Sequence, residues 1–346
     1  MFLFVDSSFF FKYDFMNKIL IILLCAIVIL SSCTKTSSKK ILSGKAQGTY
    51  YAITYFDNKD NTYQTEIELL LSEFNKSASN YLDSSIISKI NSNINVDVDD
   101  IFKGNYNLAN RISIETNGDF DITVRPLVQA WGFGSVKAED MDSLIVDSIL
   151  QFVGYHKVKL LDNKILKNDE RLQLDFDAIA QGYAVDEVCS FLRKKGVTNY
   201  LVDIGGEVYA SKFKTDSLYW KVGVENPSDN AEYGENLSLV LRLSDKGLAT
   251  SGNYRKFYIK DGIKYAHTIN PHTGYPLLSR LLSATVLAKT TAEADAYATA
   301  FMVMGLEKSK DFLKKHIELG AVLISSDDSG DFQLYYTPNI ENIIQK

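Results

Sequence analysis

Residues Thr291–Gly305 have the sequence TAEADAYATAFMVMG, and this alanine-rich stretch predicts the central helix of the fold. It contains no proline, and its one glycine is the last residue, so we expect the helix to end there. Asp295 and Thr299 are four residues apart and therefore lie on one helix face. The same face continues to Met302, an apolar residue that we expect in the core. A carboxylate and a hydroxyl thus occupy the N-terminal part of a helix face that is otherwise apolar.

The length and composition indicate a folded chain with a substantial core. The protein has 346 residues, of which 46% are hydrophobic, enough for one large domain or two closely joined lobes. Its net charge is −6, from 37 basic and 43 acidic residues, and it has no block of basic residues. A mildly acidic chain of this kind is not expected to have nucleic acid as its main partner.

Helical and strand patterns are mixed along the chain. Helical spacing is predicted at 62–75, 100–116, 140–152, 182–195 and 308–316. Strands are predicted at 48–56, 156–161, 172–175, 200–204, 207–210, 218–225, 237–243, 255–259, 283–288, 321–324 and 332–336. These elements follow one another without a regular βαβ rhythm. The predicted fold class is therefore α+β, with mixed, largely antiparallel sheets and packed helices in two closely joined lobes.

The N-terminus has the pattern of a secretory signal. A lysine at position 18 precedes the apolar run Ile19–Leu30, which is short for a membrane span. We therefore predict a signal peptide over residues 1–32, with Met16 as an alternative start. The sequence from Leu30 to Cys33 fits the bacterial lipobox, which makes Cys33 the predicted lipidated residue. The alternative is a plain signal peptide that ends near a cysteine.

The predicted organisation of the remainder follows from that signal. Residues 33–44 would be the lipidated cysteine and a tether, and residues 45–340 a single domain. The protein would be exported and lipid-anchored to the bacterial membrane, with the periplasmic face of the inner membrane favoured. Cys189 would then be the only free thiol, and its place in an amphipathic helix pattern indicates a core residue.

Polar residues are concentrated in four segments where a core pattern would not place them. These segments are 119–127, 175–186, 249–254 together with 267–276, and the pair Asp295 and Thr299. In the second segment, Asp175 and Asp177 precede a helix whose first turn contains Gly182, so backbone N–H groups there could meet an anion. Taken singly, each segment also fits a helix cap, a tight turn or a solvated helix face.

Taken together and in order, the segments resemble the ApbE family, the FAD:protein FMN transferases. The resemblance covers about Ala46 to Lys315. It rests on these ordered matches: Gly118-Asp-Phe-Asp121 with Trp131-Gly-Phe-Gly134, Asp175-x-x-Ala178 with Gly182 and Asp186, Ala249-Thr-Ser-Gly252 with Tyr254, His267-x-Ile269-x-Pro271 with Gly274, and Asp295-Ala-x-Ala-Thr299. The resemblance implies a T-fold-like architecture.

The resemblance also implies a reaction and a metal site. The family transfers FMN from FAD to a Thr or Ser hydroxyl of a target protein in a Mg2+-dependent reaction that releases AMP. The implied Mg2+ ligands are the backbone carbonyl of Ala178, the carboxylate of Asp295 and the hydroxyl of Thr299, in keeping with the preference of Mg2+ for oxygen. His267 lies where the family has the histidine proposed as the base that takes the acceptor proton.

Further positions match residues that contact FAD in the family. They are Gln47, Tyr81, Asp119, Phe120, Asp121, Asp175, Gln181 and Ile269. This chain departs from the common pattern at three places, where Gln47 replaces Met, Gln181 replaces Lys or Glu, and Asn270 replaces Asp. We expect these changes to affect FAD contacts and not the Mg2+ pair. His272 occupies a variable position of the same turn, and we assign it no chemistry.

Three functions are compatible with this site. The first is FMN transfer to an exported flavoprotein, such as a subunit of an ion-pumping NADH:quinone or ferredoxin:NAD oxidoreductase, since relatives modify those. The second is an FAD pyrophosphatase that uses water in place of the hydroxyl and yields FMN and AMP. The third is a non-catalytic periplasmic flavin-binding protein, against which the complete set of Asp295, Thr299 and His267 argues.

Overall fold

The computed structural model describes residues 37–59, 62–133, 141–214, 218–227, 236–253, 257–260 and 263–345. For residues 257–260 and 263–266 it describes the backbone alone. The predicted signal at 1–32, the predicted lipidated Cys33, and the motif residues Gly134 and Tyr254 lie outside these ranges.

The described residues form fourteen strands. They are β1 (Ser38–Ala46), β2 (Thr49–Asp57), β3 (Val158–Leu161), β4 (Lys164–Lys167), β5 (Tyr200–Ile204), β6 (Glu207–Ser211), β7 (Trp220–Glu225), β8 (Leu237–Leu243), β9 (Lys246–Gly252), β10 (Phe257–Lys260), β11 (Ile263–Ala266), β12 (Leu281–Ala288), β13 (Gly320–Ser326) and β14 (Phe332–Tyr336). Eight of them form one sheet in the order β1-β2-β5-β6-β9-β12-β13-β14, and the others pair as β3–β4, β7–β8 and β10–β11. Every pair is antiparallel, as predicted.

Seven α-helices accompany these strands in the described ranges. They are α1 (Gln64–Ala78), α2 (Ile86–Asn91), α3 (Asp100–Glu115), α4 (Arg125–Ala130), α5 (Ser143–Leu150), α6 (Ala180–Lys194) and α7 (Thr291–Lys315), with short 3-10 helices at Tyr155–Lys157 and Pro338–Ile343. The buried residues of α1, α3, α6 and α7 share one hydrophobic core with the large sheet. The predicted α+β class is therefore confirmed.

A second apolar cluster covers the opposite face of the sheet. Trp220 and Val224 of β7 and Leu241 of β8 pack there against Leu248 of β9 and Ile324 of β13. The sheet is thus buried on both sides in its middle, with the main helices on one side and the β7–β8 hairpin on the other. The functional segments lie on the helical side.

The central helix is kinked where the sequence predicts its end. Gly305 has φ 74° and ψ 178°, a conformation that interrupts the helix, and a second segment then continues to Lys315. The hydroxyl of Ser309 donates to the carbonyl of Gly305 (2.6 Å) and stabilises the break. The helix predicted at 308–316 is this second segment. Met302 is fully buried, as expected from the apolar stripe.

Strand β1 begins inside the segment predicted to be a tether. Ser38 already pairs with Asp57 of β2, and Leu42 and Ala46 are buried. The polar composition of this strand hid its alternation, because Leu42 and Ala46 are its only buried side chains and the apolar Ile41 lies on the exposed face. Residues 38–44, which the sequence assigned to the tether, therefore lie in the large sheet.

The strand predicted at 172–175 is wrong. Leu172 and Leu174 are buried as in a strand, but none of the strands in the described ranges pairs with their segment. The side chain of Asn91 takes that role, because it accepts from the amide of Leu174 (2.7 Å) and donates to its carbonyl (2.8 Å). The next amide, of Asp175, donates to the carbonyl of Ile122 (2.7 Å). This hydrogen bond connects the polar segment at 175–186 to the polar segment at 119–127.

Two further observations concern the membrane and the thiol. Within the described ranges, no helix combines the length and the apolar character that crossing a bilayer requires. Cys189 is fully buried and free, as its helix pattern predicted.

Helices α6 and α7 cross in backbone contact at Gly182. A Cβ at this position would lie 2.6 Å from the carbonyl oxygen of Thr291 and 2.8 Å from the Cα of Ala292. On the sheet side, a Cβ at Gly247 would lie 2.5 Å from the backbone nitrogen of Thr291. The start of α7 is therefore held between a helix and a strand, both of which need glycine at the contact.

We expect Gly182→Ala to lower the free energy of unfolding by about 1–3 kcal/mol, because backbone atoms of α7 must move to admit the methyl group. Gly104→Ala in α3 is the matched helical control. Its added methyl would meet only the phenol end of Tyr183, which can move away by a change of χ1, so the loss should be smaller. Urea denaturation of both variants measures the difference, and equal losses would contradict the proposed close contact.

Candidate functional site

Each of the two crossing helices has an aspartate whose carboxylate accepts hydrogen bonds from backbone amides at the start of the other helix. We call this reciprocal pair of contacts the carboxylate exchange. Asp186 of α6 accepts from the amides of Thr291 and Ala292 at the start of α7, at 2.9 Å each. In return, Asp295 of α7 accepts from the amide of Gly182 at the start of α6, at 3.1 Å. Exposed amides at a helix N-terminus favour a negative partner, so each carboxylate stabilises the other helix. This exchange fixes where Asp295 lies.

The exchange also leaves one backbone carbonyl without a donor. In a regular helical turn, the amide of Gly182 would donate to the carbonyl of Ala178, four residues earlier. Here that amide donates to Asp295 instead, and none of the described residues donates to the Ala178 carbonyl. A buried or half-buried carbonyl without a partner calls for a ligand or water. The Ala178 carbonyl oxygen, which the sequence resemblance had implied as a Mg2+ ligand, is thus left without a hydrogen-bond donor.

Asp295 is itself a poorly compensated buried charge. It is 7% exposed, and among the described residues its only hydrogen bond is the one from Gly182. Burial, together with the nearby carboxylates of Asp186 and Asp177, raises its pKa to about 7, although the hydrogen bond from the Gly182 amide opposes the shift. A cation at this point would relieve the repulsion among three carboxylates.

Thr299 lies one turn further along α7 and contacts the sheet. Its hydroxyl is 3.1 Å from the hydroxyl of Ser251 in β9. Ser251 belongs to the segment for which the sequence allowed a turn, but β9 runs through it and pairs with β12. The second, third and fourth polar segments therefore meet at this point.

The oxygen donors fit a hard divalent cation. The Ala178 carbonyl, the Asp295 carboxylate and the Thr299 hydroxyl are the oxygen types that Mg2+ takes, with phosphate and water completing such a shell. Across the described ranges, no group of three or more His, Cys, Asp or Glu residues could hold a metal ion by itself. A site with one carboxylate depends on further oxygen from a bound substrate.

A second polar cluster lies beside the start of α6. The side-chain amide of Asn80 donates to Asp175 (2.8 Å) and to Asp177 (3.2 Å), and the phenol of Tyr81 donates to Asp177 (3.0 Å). A guanidinium nitrogen of Arg125 lies 3.8 Å from Asp175. Burial and the neighbouring Asp177 raise the pKa of Asp175 to about 7. Tyr81 is 74% exposed, so its ring is available at the rim.

The first three residues of the first polar segment are all buried, and they have different partners. Asp119 is buried and paired with His272 (3.1 Å) and with Lys308. Asp121 instead closes a loop, because it accepts from the amide and hydroxyl of Thr123 (2.7 Å each) and from a further backbone amide. Phe120 is packed in the main core.

Two of the predicted FAD contacts lie in or beside turns between strands of the large sheet. Gln47 lies in the β1–β2 turn with φ 49°, and its side-chain carbonyl is buried without a hydrogen-bond partner. The side-chain nitrogen of Gln181 lies 2.5 Å from where a Cβ on Gly205 would be, and the methyl group of Thr49 is 2.7 Å from the same point. An unpaired buried acceptor beside a glycine turn suits a ligand with donors.

The segment that carries His267 leads into a well-defined turn. Ile269 is buried and forms a bridge with Pro276. The side chain of Asn270 accepts from the amides of His272 (2.8 Å) and Thr273 (3.1 Å), so the predicted tight turn is present. His267 lies just after β11 and is partly buried.

The turn is tied to the first polar segment. The indole of Trp131 donates to the carbonyl of Gly274 (2.8 Å), which lies at the end of the turn. His272 of the same turn contacts Asp119, so the histidine given no chemistry links two motifs. Sequence reasoning did not single out Asn80, Arg125 or Lys308, although Asn80 and Arg125 lie inside or next to matched motifs.

These observations define an α+β domain whose central helix presents oxygen donors for a hard cation. Residues 47–323 match the ApbE family, and the chain belongs to that family. It is 31% identical over 337 residues to the FAD:protein FMN transferase of Vibrio cholerae, with 94% of this chain and 99% of the relative covered. For the FAD:protein FMN transferase of Haemophilus influenzae the identity is 32% over 316 residues, with 87% and 90% covered.

Solved structures of the family share the fold. The flavin transferase ApbE from Vibrio cholerae has a TM-score of 0.79 at 32% identity and covers 89% of this chain and 99% of its own. The apo form of the flavinyl transferase ApbE from Pseudomonas stutzeri has a TM-score of 0.80 at 28% identity, with 90% and 98% covered.

The raised pKa values give a prediction for stability without divalent cations. Burial raises the pKa of Asp295 to about 7 and that of Asp186 to about 6, whereas an unfolded aspartate titrates at about 3.9. A raised folded-state pKa contributes stability at low pH that is lost as the pH rises through the folded value. We therefore expect Asp295→Asn to become progressively more stable than the wild type between about pH 4 and pH 7.

Chemical denaturation in EDTA over this pH range measures the difference between the two proteins. Asp311→Asn is the control, because Asp311 is exposed and Lys314 lowers its pKa. A difference between Asp295→Asn and wild type that stays constant with pH would contradict a buried, uncompensated charge at Asp295.

Proposed function

We propose that this protein is a Mg2+-dependent transferase that moves FMN from FAD to a Thr or Ser hydroxyl of an exported target protein and releases AMP. The observation that carries the proposal is that Asp295 accepts from the Gly182 amide where α6 and α7 cross, which leaves the Ala178 carbonyl without that donor, while the Thr299 hydroxyl lies one turn further along α7. The relatives named FAD:protein FMN transferase support the substrate assignment.

The proposed roles follow from what each group can do. Asp295, Thr299 and the Ala178 carbonyl would hold Mg2+, which when bound supplies neutralisation of phosphate charge. His267 would accept the proton of the acceptor hydroxyl as that oxygen bonds to the FMN phosphorus. The bond between this phosphorus and the bridging oxygen breaks, and AMP leaves with that oxygen. Such transfer depends on positioning and charge neutralisation more than on covalent work by the protein.

The remaining predicted contacts would hold the dinucleotide. Tyr81 is exposed at the rim and could stack on a ring of FAD, while Asp175 could accept from a ribose or adenine donor. Gln47 offers an unpaired buried carbonyl. Because Gln47 and Gln181 replace the common residues at their positions, the strength of FAD binding would be set by amide contacts here.

The proposed location and partner follow from the sequence. Lipidation of Cys33 would anchor the protein to the bacterial membrane, with the periplasmic face of the inner membrane favoured. The acceptor would then be an exported flavoprotein. A subunit of an ion-pumping NADH:quinone or ferredoxin:NAD oxidoreductase is the proposed target.

The purified protein, supplied with FAD, Mg2+ and such a target subunit, should produce a flavin-fluorescent band that survives denaturing electrophoresis. Asp295→Ala and His267→Ala should each reduce the labelling rate at least about 100-fold, because one removes a cation ligand and the other the base. Asp311→Ala, on the exposed face of α7, is the control. Full labelling by Asp295→Ala would refute the metal assignment.

The same reaction without a target protein separates transfer from hydrolysis. Chromatography of the nucleotides should show FAD largely intact when no acceptor is present and AMP released in proportion to labelled target when one is. Rapid formation of FMN and AMP without an acceptor would identify a pyrophosphatase instead. Unchanged FAD in both cases would indicate a flavin-binding protein.

A further inference from the structure

Ser251 lies on the face of β9 that points toward α7. Strand pairing places it opposite Ala284 of β12, while its neighbour Thr250 is opposite Thr285. Because side chains alternate along a strand, Ser251 and Thr250 lie on opposite faces of the sheet. Ala249, on the same face as Ser251, belongs to the main core that includes α7.

The hydroxyl pair of Ser251 and Thr299 leaves hydrogen-bonding capacity unused. A hydroxyl has one proton to donate and can accept two hydrogen bonds. Within the described ranges, neither side chain has a hydrogen-bond partner besides the other, at 3.1 Å. A threonine in a helix can instead donate to the carbonyl four residues earlier, but Thr299 does not. One hydroxyl proton of this pair is therefore available to a further group.

The roles of the two hydroxyls follow if Thr299 holds a cation, and this step rests on the proposed function. An oxygen that faces a cation turns its proton away from it. The oxygen of Ser251 is the acceptor that this proton meets. Ser251 then keeps its own proton, and because the residue is only partly buried, that proton can reach a bound molecule.

We propose that Ser251 is a further substrate-binding residue, which accepts from the Thr299 hydroxyl and donates to a phosphate oxygen of a dinucleotide pyrophosphate. The chemistry fits, since phosphate oxygens only accept and a hydrogen bond to a charged oxygen is stronger than a neutral one. The position fits as well, because the hydroxyl is one contact away from a predicted cation ligand. Ser251 would bind substrate without taking part in the bond exchange.

The alternative is that Ser251 has a purely structural role, and a second hydroxyl pair in the same sheet provides the control for it. Thr250 and Thr285 also form a hydroxyl pair between β9 and β12, at 2.8 Å, but on the opposite face of the sheet. Thr250→Val removes one hydroxyl of that pair and is therefore the matched control for Ser251→Ala. Ser251→Thr restores the hydroxyl at the site and tests rescue.

Equilibrium binding to the purified full chain distinguishes these roles. The probes are FAD and ADP, which carry the pyrophosphate, and riboflavin, which carries no phosphate, each measured with saturating Mg2+. Ser251→Ala should weaken FAD and ADP binding about 10- to 100-fold and leave riboflavin binding within about twofold of wild type. Thr250→Val should bind all three like wild type, and Ser251→Thr should recover most of the lost affinity.

Two results would overturn the proposal. One is unchanged FAD and ADP affinity in Ser251→Ala. The other is an equal loss for riboflavin, which would show that Ser251 only shapes the cleft. If Ser251→Ala does not fold, Ser251→Cys keeps the volume with a weak donor and should show the same phosphate-dependent loss. Because binding needs no acceptor protein, failure of FMN transfer in the wild type would contradict the proposed function and leave this result interpretable.

Discussion

The exchange of carboxylates between α6 and α7 is the interaction on which the candidate site depends. Asp186 binds the first amides of α7, and Asp295 binds the amide of Gly182 in the first turn of α6. The exchange is possible only because Gly182 lets the two backbones touch. It holds Asp295 in place and withholds the donor that the Ala178 carbonyl would otherwise have. The crossing therefore creates two of the three proposed cation ligands at once.

This arrangement keeps an unfavourable charge in the fold, for which the proposed cation site gives a functional reason. Asp295, Asp186 and Asp177 lie near one another, and burial raises the pKa of Asp295. A protein selected for stability alone would not need a carboxylate there, since one that is buried with a single amide donor is costly. The proposed cation, bound together with phosphate oxygens, would remove that cost. Stability and substrate binding are thus expected to be linked at the same side chain.

The sequence predicted the parts whose signal is local. The helical spacing and the terminal glycine placed the central helix and its break at Gly305, and alternation placed β5, β8 and β14. It failed where polar residues hide the alternation or where the hydrogen-bonding partner is distant in sequence. The polar strand β1 was taken for a tether, and the extended segment at Leu172–Asp175 was taken for a strand, because Asn91 bonds it in place of a neighbouring strand. The motifs indicated Asp295 and Thr299, but the role of Ser251 depends on strand register, which one sequence does not reveal.

A crystal structure of the protein with Mg2+ and ADP tests the central claim most directly. The account predicts one cation about 2.1 Å from a carboxylate oxygen of Asp295, the hydroxyl of Thr299 and the carbonyl of Ala178, with phosphate oxygens completing the shell. A cation bound elsewhere, with the Ala178 carbonyl and Asp295 left uncoordinated in the presence of the nucleotide, would contradict it.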